Sequence, residues 1–141
     1  NATRFIVVDD PDLMKKVQEA CMGQALMGKA PMAVIVCSDS TRVMGCDQRA
    51  STVDCSIAMS FMMLAATAEG LGTCWIGGFT QEPLKEALGI PAEYDVVALT
   101  PLGYPAEEGR PRDRKPLEEL VYKNGWKREQ QNSEQKMPGS P

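Results

Sequence analysis

Histidine does not occur among the 141 residues, and its absence excludes several catalytic classes. Neither a Ser-His-Asp triad nor a Cys-His pair can be built without an imidazole, and no metal site can use a histidine ligand. The five cysteines include no CxxC pair, so the close paired spacing of a cysteine-only zinc site is missing too. We therefore expect no metal centre in this protein.

Aromatic residues make up only 6% of the sequence, and the formal net charge is −4. The mild acidity argues against a general nucleic-acid binder, although one basic cluster at residues 110–115 runs against it. No uninterrupted apolar run approaches the roughly 20 residues of a membrane helix. Four of the five cysteines lie in apolar segments, which favours a reduced, cytoplasmic protein. We expect neither a nucleic-acid nor a membrane partner.

Apolar periodicity and turn-forming residues predict alternating strands and helices. The predicted strands are the short, β-branched runs at 5–8, 32–37 and 96–102, with Pro101 indicating an edge or a bulge near the end of the last. An optional further strand falls in the glycine-bracketed stretch 72–79. The predicted helices run from Pro11 to about Met27, over 51–69, between Thr80 and Gly89, and over 117–122. This order indicates an α/β or α+β fold with a mostly covered sheet.

We expect one domain over residues 1–126. The sequence after Trp126 is polar and has no apolar periodicity, so residues 127–141 are expected to be a tail that is disordered or docked on a partner.

The predicted helix at 51–69 is apolar on nearly every side. Ser51 and Asp54 form an S-x-x-D start signal, and Gly70 is a natural C-cap. Since a helix without a polar face is central or lies in a subunit interface, we expect a long buried helix that is largely covered in a dimer.

Gly77 and Gly78 stand directly before a predicted helix and are the first candidate site. Without a Cβ in the way, adjacent backbone N–H groups can approach a planar or anionic ligand and stabilise charge that develops on a ring. The alternative is a strand-to-helix turn that needs small residues only. A dinucleotide fingerprint fails here, because Trp75 occupies the place of the third glycine of GxGxxG.

Arg112 and Arg114 are the second candidate site. Alternate residues of an extended segment point to the same side, so the two guanidinium groups can hold one phosphate together. The alternative is a solvated loop whose basic residues pair with nearby glutamates.

Several segments, in consistent order, resemble the nitroreductase family. The resemblance is carried by residues 54–79 (DCSIAMSFMMLAATAEGLGTCWIGGF), 88–91 (LGIP), 102–105 (LGYP) and 112–117 (RDRKPL). Residues 4–8 (RFIVV), followed by an acidic helix start, are similar to the first strand of that family. The resemblance covers about residues 4–126.

The resemblance implies an α+β fold with three α/β/α layers, a mixed and mainly antiparallel sheet, and a long buried central helix. It further implies an FMN-dependent oxidoreductase that forms an intertwined homodimer with active sites at the subunit interface. Such enzymes take a hydride from NADH or NADPH onto the flavin. They then pass two electrons to a nitroaromatic, a quinone or a similar small acceptor, in ping-pong order.

Carried over by position, the resemblance assigns six cofactor-binding residues: Trp75, Ile76, Gly77, Gly78, Arg112 and Arg114. The two glycines would offer backbone N–H groups near flavin N5 and O4, Ile76 would lie against the ring, and the arginines would bind the FMN phosphate. The lack of histidine is then no obstacle, because the cofactor carries the chemistry.

One departure from the family pattern concerns the start of the chain. Family members carry a longer segment before the first strand, with an Arg-rich helix start that also binds the flavin. Only Asn1, Ala2 and Thr3 precede Arg4 here, so we expect half of the flavin site to be missing from this chain. A second hypothesis is therefore a catalytically inert module of the same fold that binds flavin or another ligand, or regulates a partner.

Overall fold

The computed structural model describes residues 2–110 and 112–126. The predicted tail at 127–141 lies outside the described residues. The described residues divide into two compact units, one that ends at residue 107 and one that begins at residue 108. A single domain over 1–126 stays a prediction.

The first unit holds the strands and nearly all of the helical residues. Its elements are β1 (Thr3–Val8), α1 (Pro11–Ala20), α2 (Ala25–Lys29), β2 (Met32–Ser38), α3 (Ala50–Ala68), β3 (Gly72–Thr73), α4 (Gln81–Leu88) and β4 (Asp95–Gly103). In the second unit, a short helix, α5, covers Leu117–Leu120. The order of strands and helices follows the prediction from sequence, except that two helices, α1 and α2, stand where one was predicted.

The four strands form one sheet in the order β1-β2-β4-β3, and all three pairings are antiparallel. β2 is paired on both sides, and Ala33, Ile35 and Val36 are fully buried in it. This explains why the sequence of β2 is continuously apolar instead of alternating.

A β-bulge interrupts the pairing of β2 with β4. Val36 lies opposite Ala98 but Cys37 lies opposite Val96, so Val97 is an extra residue on β4. Of the two alternatives predicted at Pro101, the bulge is wrong, because the pairing of β2 with β4 is regular there. A β-branched residue such as Val97 carries no signal of a bulge in the sequence.

Helices cover both faces of the sheet and produce three layers. On one face, α1, α2 and α4 enclose a core that includes Met27 and Leu84. On the other face, Cys55 and Met59 of α3 pack against Val36 of β2. The predicted α+β fold with helices on both faces of the sheet and a long central helix is confirmed.

Among residues 2–110 and 112–126, α3 is covered on one side only. Cys55 and Met59 are fully buried, whereas Ile57, Phe61 and Leu64 are 52%, 68% and 67% exposed. By length and composition alone, α3 is also the one candidate membrane span among the described residues. Its packing against a sheet is the arrangement of a core helix in a folded domain.

The continuous helix predicted from Pro11 to about Met27 is wrong. α1 ends at Ala20, and the next residues include Met22 and Gly23 with φ of 56° and 68°. Two successive left-handed residues turn the chain before α2 begins, and a methionine in this conformation is uncommon.

The predicted C-terminal ends of α3 and α4 are confirmed, and a glycine stands at each of them. Gly70 and Gly89 have φ of 75° and 63° and terminate α3 and α4. The start signal at Ser51 is wrong, because α3 begins at Ala50 and its N-cap, Arg49, makes no side-chain capping bond.

Candidate functional site

Residues 72–81 run along the outer edge of β4 and are attached to it at successive points. After the two residues of β3, the Cys74 N–H donates to Thr100 Oγ1 at 3.0 Å. Ile76 and Leu99 then exchange backbone hydrogen bonds with N···O distances of 2.8 and 3.3 Å. The path of this segment is therefore set by the strand beside it.

The side chain of Gln81, the first residue of α4, forms the next attachment to the outer edge of β4. Gln81 Nε2 donates to the Val96 carbonyl at 2.6 Å, and the Val96 N–H donates to Gln81 Oε1 at 3.1 Å. One side-chain amide thus satisfies both backbone groups of a residue next to the bulge, as a neighbouring strand would do.

Gly77 and Gly78 lie between these attachments, and we call them the glycine turn. Gly77 is exposed and Gly78 is half-buried. Across residues 2–110 and 112–126, neither backbone N–H has a hydrogen-bond acceptor. The segment therefore presents two adjacent donors on a turn that is fixed on both sides.

The turn between α1 and α2 contacts the glycine turn. Gln24 Nε2 donates to the Gly78 carbonyl at 3.0 Å, and the Thr80 N–H donates to the Ala20 carbonyl at 2.9 Å. A Cβ on Gly78 would lie 2.9 Å from Met22 Cε and 3.3 Å from Gln24 Nε2. Sequence reasoning missed Gln24, because its bond crosses 54 residues of chain.

Trp75 and Ile76 differ in how much of each residue is exposed to solvent. Trp75 is 40% exposed, and its Nε1 lies 3.6 Å from the place that a Cβ on Gly77 would take. Ile76 is 3% exposed and belongs to the core, so its side chain anchors the segment. The predicted contact of Ile76 with a flavin ring stays a prediction.

Arg112 and Arg114 belong to the second unit and are exposed. Within the described residues neither guanidinium has an ion-pair partner, whereas Lys115 Nζ lies 3.5 Å from Glu119 Oε2. The pairing expected for a merely solvated loop is thus made by the lysine and not by these two arginines. Their convergence with the glycine turn on one phosphorylated ligand stays a prediction.

Three of the five cysteines are buried and poorly suited to nucleophilic chemistry. Burial raises the pKa of the Cys21 thiol to about 11 and also raises the pKa of Cys37 and Cys55 above the ordinary value. Thiols of this kind carry little thiolate at neutral pH and are poor nucleophiles. All five cysteines are free. Among the described residues, no cluster of cysteine and carboxylate side chains is suited to a metal ion.

A cleft of about 480 Å³ lies elsewhere in the first unit. Its walls come from α2, β3 and residues 101–106, and they include Lys29, Thr73 and Tyr104. The glycine turn is not part of these walls, so the cleft and the turn are separate features.

The sequence model of the nitroreductase family matches residues 22–104 of this chain. The match extends from the α1–α2 turn to the residue after β4, so it contains Gln24, α3 and the glycine turn.

Individual relatives agree with the family match. A protein of Archaeoglobus fulgidus, provisionally named NADH dehydrogenase/NAD(P)H nitroreductase, is 35% identical over 108 residues, which are 74% of this chain and 62% of that protein. A protein of Bacillus subtilis named FMN reductase [NAD(P)H] is 27% identical over 139 residues, which are 86% of this chain and 56% of that protein.

A solved structure of a nitroreductase family protein has a fold similar to that of this chain. The crystal structure of a nitroreductase family protein from Clostridium novyi NT is 36% identical with a TM-score of 0.69, over 75% of this chain and 63% of that chain. This chain thus spans less than two thirds of the length of these three proteins. The family match covers more than half of the chain, and it includes three of the four strands, the central helix and the glycine turn. The chain therefore belongs to the nitroreductase family.

Proposed function

We propose that the protein is an FMN-dependent oxidoreductase that transfers electrons from NADH or NADPH to a small acceptor such as a nitroaromatic or a quinone. The observation that carries this proposal is the pair of backbone N–H groups at Gly77 and Gly78, which have no acceptor within the described residues. The names of the relatives from Archaeoglobus fulgidus and Bacillus subtilis support the redox class, the flavin and the nicotinamide donor.

The glycine turn suits a flavin ring on chemical grounds. A flavin carries the acceptor atoms N5 and O4 side by side, so two adjacent N–H donors match that edge. Gly77 is exposed, and the absence of a Cβ allows a planar ring to approach its backbone closely. A branched side chain at this position would block such an approach.

The protein's part in the reaction is to bind and orient the flavin and to stabilise the charge that develops on its ring. Bound FMN would supply the redox chemistry, since it can accept a hydride from NADH or NADPH and then pass two electrons to the second substrate. The Gly77 and Gly78 N–H groups would hold the N5 and O4 edge and stabilise negative charge that develops on the ring. Their geometry does not have to reorganise, because the attachments at Ile76 and Gln81 already fix the turn.

We assign the FMN phosphate to Arg112 and Arg114. Both side chains are exposed and have no ion-pair partner within the described residues. Two guanidinium groups complement a phosphate dianion through charge-assisted and often bidentate hydrogen bonds.

The active protein is proposed to be a homodimer in which a second copy covers α3. Ile57, Phe61 and Leu64 follow each other at helical spacing and are each more than half exposed. An apolar helix face of this kind marks an interaction site in a folded protein. We place the complete active site at the boundary between the two subunits.

Titration of the purified protein with FMN, followed by quenching of flavin fluorescence, tests the proposal. NADH or NADPH oxidation is then measured with a quinone or a nitroaromatic as acceptor. We expect bound FMN and turnover with at least one acceptor. A protein that binds no FMN contradicts the proposal, and one that binds FMN without oxidising NADH or NADPH is an inert flavin module instead.

A pair of glycine variants locates the binding. Gly77→Val places a branched side chain on the exposed turn, and we expect it to weaken FMN binding at least about tenfold, equivalent to about 1.4 kcal/mol. Gly45→Val is the control, since a Cβ on Gly45 meets nothing within 4 Å. Equal FMN affinity of the two variants would remove the glycine turn from the site.

A further inference from the structure

Gln24 has the most specific contact with the glycine turn. Its Nε2 donates to the Gly78 carbonyl at 3.0 Å. Next to it, Met22 Cε lies 2.9 Å from the position of a Cβ on Gly78. The α1–α2 turn thus touches the peptide that follows the two proposed flavin-binding N–H groups.

The backbone of Gln24 is itself held on both sides. Its N–H donates to the Cys21 carbonyl at 3.3 Å, and its carbonyl accepts from the Met27 N–H at 3.0 Å. The same carbonyl accepts from Gln18 Nε2 at 3.3 Å. The side chain of Gln24 is therefore presented from a fixed position.

The bond to Gly78 determines how one peptide plane is oriented. No peptide bond in the described residues is cis, and in a trans peptide the carbonyl and the next N–H point in opposite directions. When Gln24 holds the Gly78 carbonyl, the Phe79 N–H faces away from Gln24. Glycine rotates more freely than any other residue, so without this bond the Gly78–Phe79 peptide can turn over.

We propose that Gln24 is a positioning residue for the flavin site. It keeps the Gly78 carbonyl oxygen turned toward the α1–α2 turn and away from the ligand side of the glycine turn. A carbonyl oxygen on the ligand side would repel flavin O4 and the negative charge of the reduced ring. This inference rests on the proposed function, because it assigns Gln24 a role toward FMN.

The first measurement needs no flavin. Backbone NMR of the ligand-free protein reports the resonances and the fast motion of Gly77, Gly78 and Phe79. At neutral pH neither Gln24→Leu nor the isosteric Gln24→Glu has a side-chain hydrogen-bond donor. We expect both variants to shift these resonances and to increase the motion of the three residues. Gln48→Leu, in an exposed loop, is the matched control and leaves them unchanged. Unchanged resonances in both Gln24 variants overturn the inference.

The second measurement compares oxidised and reduced FMN. We expect Gln24→Leu to bind oxidised FMN about fivefold more weakly, and reduced FMN about tenfold more weakly still. That second factor corresponds to a drop of about 30 mV in the two-electron midpoint potential of bound FMN. A merely structural role would weaken both forms equally and leave the potential unchanged.

The outcomes separate this inference from the proposed function. If the unmodified protein binds FMN and Gln24→Leu retains the same affinity and potential, the positioning role is overturned and the proposed function stands. If the unmodified protein binds no FMN, the proposed function and the positioning role fall together. Altered resonances together with a lowered potential support Gln24 as the residue that orients Gly78.

Discussion

Gln81 and Val96 are joined by two hydrogen bonds in which a side-chain amide pairs with the backbone of a strand. Gln81 Nε2 donates to Val96 O at 2.6 Å, and Val96 N donates to Gln81 Oε1 at 3.1 Å. Val96 is 3% exposed, so water has little access to its backbone groups in place of the amide. The contact connects the start of α4 to β4 next to the bulge.

Gln81→Leu is expected to lower the free energy of unfolding by about 1–3 kcal/mol, because a buried N–H and a buried carbonyl lose their partners. Urea denaturation followed by circular dichroism measures the change. Gln48→Leu, an exposed glutamine elsewhere in the unit, should stay within about 0.5 kcal/mol of the unmodified protein. Equal stability of both variants would show that the Gln81 amide does not stabilise the edge of β4.

Gly103 is the residue at the end of β4 where an added methyl group has no room. A Cβ there would lie 2.7 Å from Pro31 Cδ, and a proline ring cannot move aside by rotation. Gly103→Ala should therefore lower the free energy of unfolding by about 1–3 kcal/mol. Gly45→Ala, where a Cβ meets nothing within 4 Å, is the control and should be neutral or slightly stabilising. A neutral Gly103→Ala variant would contradict the close packing of Pro31 on β4.

Cys21 makes the stability of the fold depend on pH in the alkaline range. Burial raises its pKa from 9.0 to about 11 in the folded chain. The folded state therefore keeps its proton more tightly, and the stabilisation is complete below pH 9.0 and lost as the pH rises toward about 11. We expect the free energy of unfolding to fall less steeply over this range in Cys21→Ala than in the unmodified protein. Cys46→Ala removes an exposed thiol and should retain the original slope.

Much of the fold follows from local patterns in the sequence. The apolar runs of β2 and β4 and the glycines after α3 and α4 are local signals. They predicted two helix ends correctly and, apart from the split between α1 and α2, the order of the elements. The break after α1 was missed, because Met22 at φ 56° gives no signal in a sequence. The contacts of Gln24 with Gly78 and of Gln81 with Val96 join residues that are distant along the chain. They arise only when the sheet has formed, and no local pattern encodes them.

Arg112 and Arg114 provide a test that distinguishes a phosphate site from a structural one. The double variant Arg112→Ala with Arg114→Ala is expected to weaken FMN binding about a hundredfold, since two charge-assisted contacts are lost. Riboflavin has no phosphate, and its affinity should change less than about threefold.

The control for the arginines removes the same charge at another place. Lys15→Ala with Lys16→Ala acts on exposed lysines of α1 and should leave the affinity for FMN within about twofold. If the arginine variant loses affinity for FMN and riboflavin equally, the two residues are structural and hold no phosphate.

Phe61→Glu tests the proposed second copy on α3. Phe61 is 68% exposed, and a carboxylate within an apolar interface is strongly unfavourable. We expect light scattering to show a dimer for the unmodified protein and a shift to monomer, by at least about tenfold in dissociation constant, for the variant. Val43→Glu alters another exposed apolar residue, 59% accessible, and should remain dimeric. An unmodified protein that is monomeric at high concentration rules out this interface.

The attachments of residues 72–81 to β4 and α1 have one consequence for how such a protein can diverge. The bonds at Cys74, Ile76 and Thr80 use main-chain atoms of the segment, so they survive most replacements of the side chains in between. Trp75 and its neighbours can therefore be replaced by residues of other shape and polarity while the Gly77 and Gly78 N–H groups keep their positions. If the protein has the proposed function, changes of the side chains in this segment can alter the choice of electron acceptor while its backbone attachments stay the same.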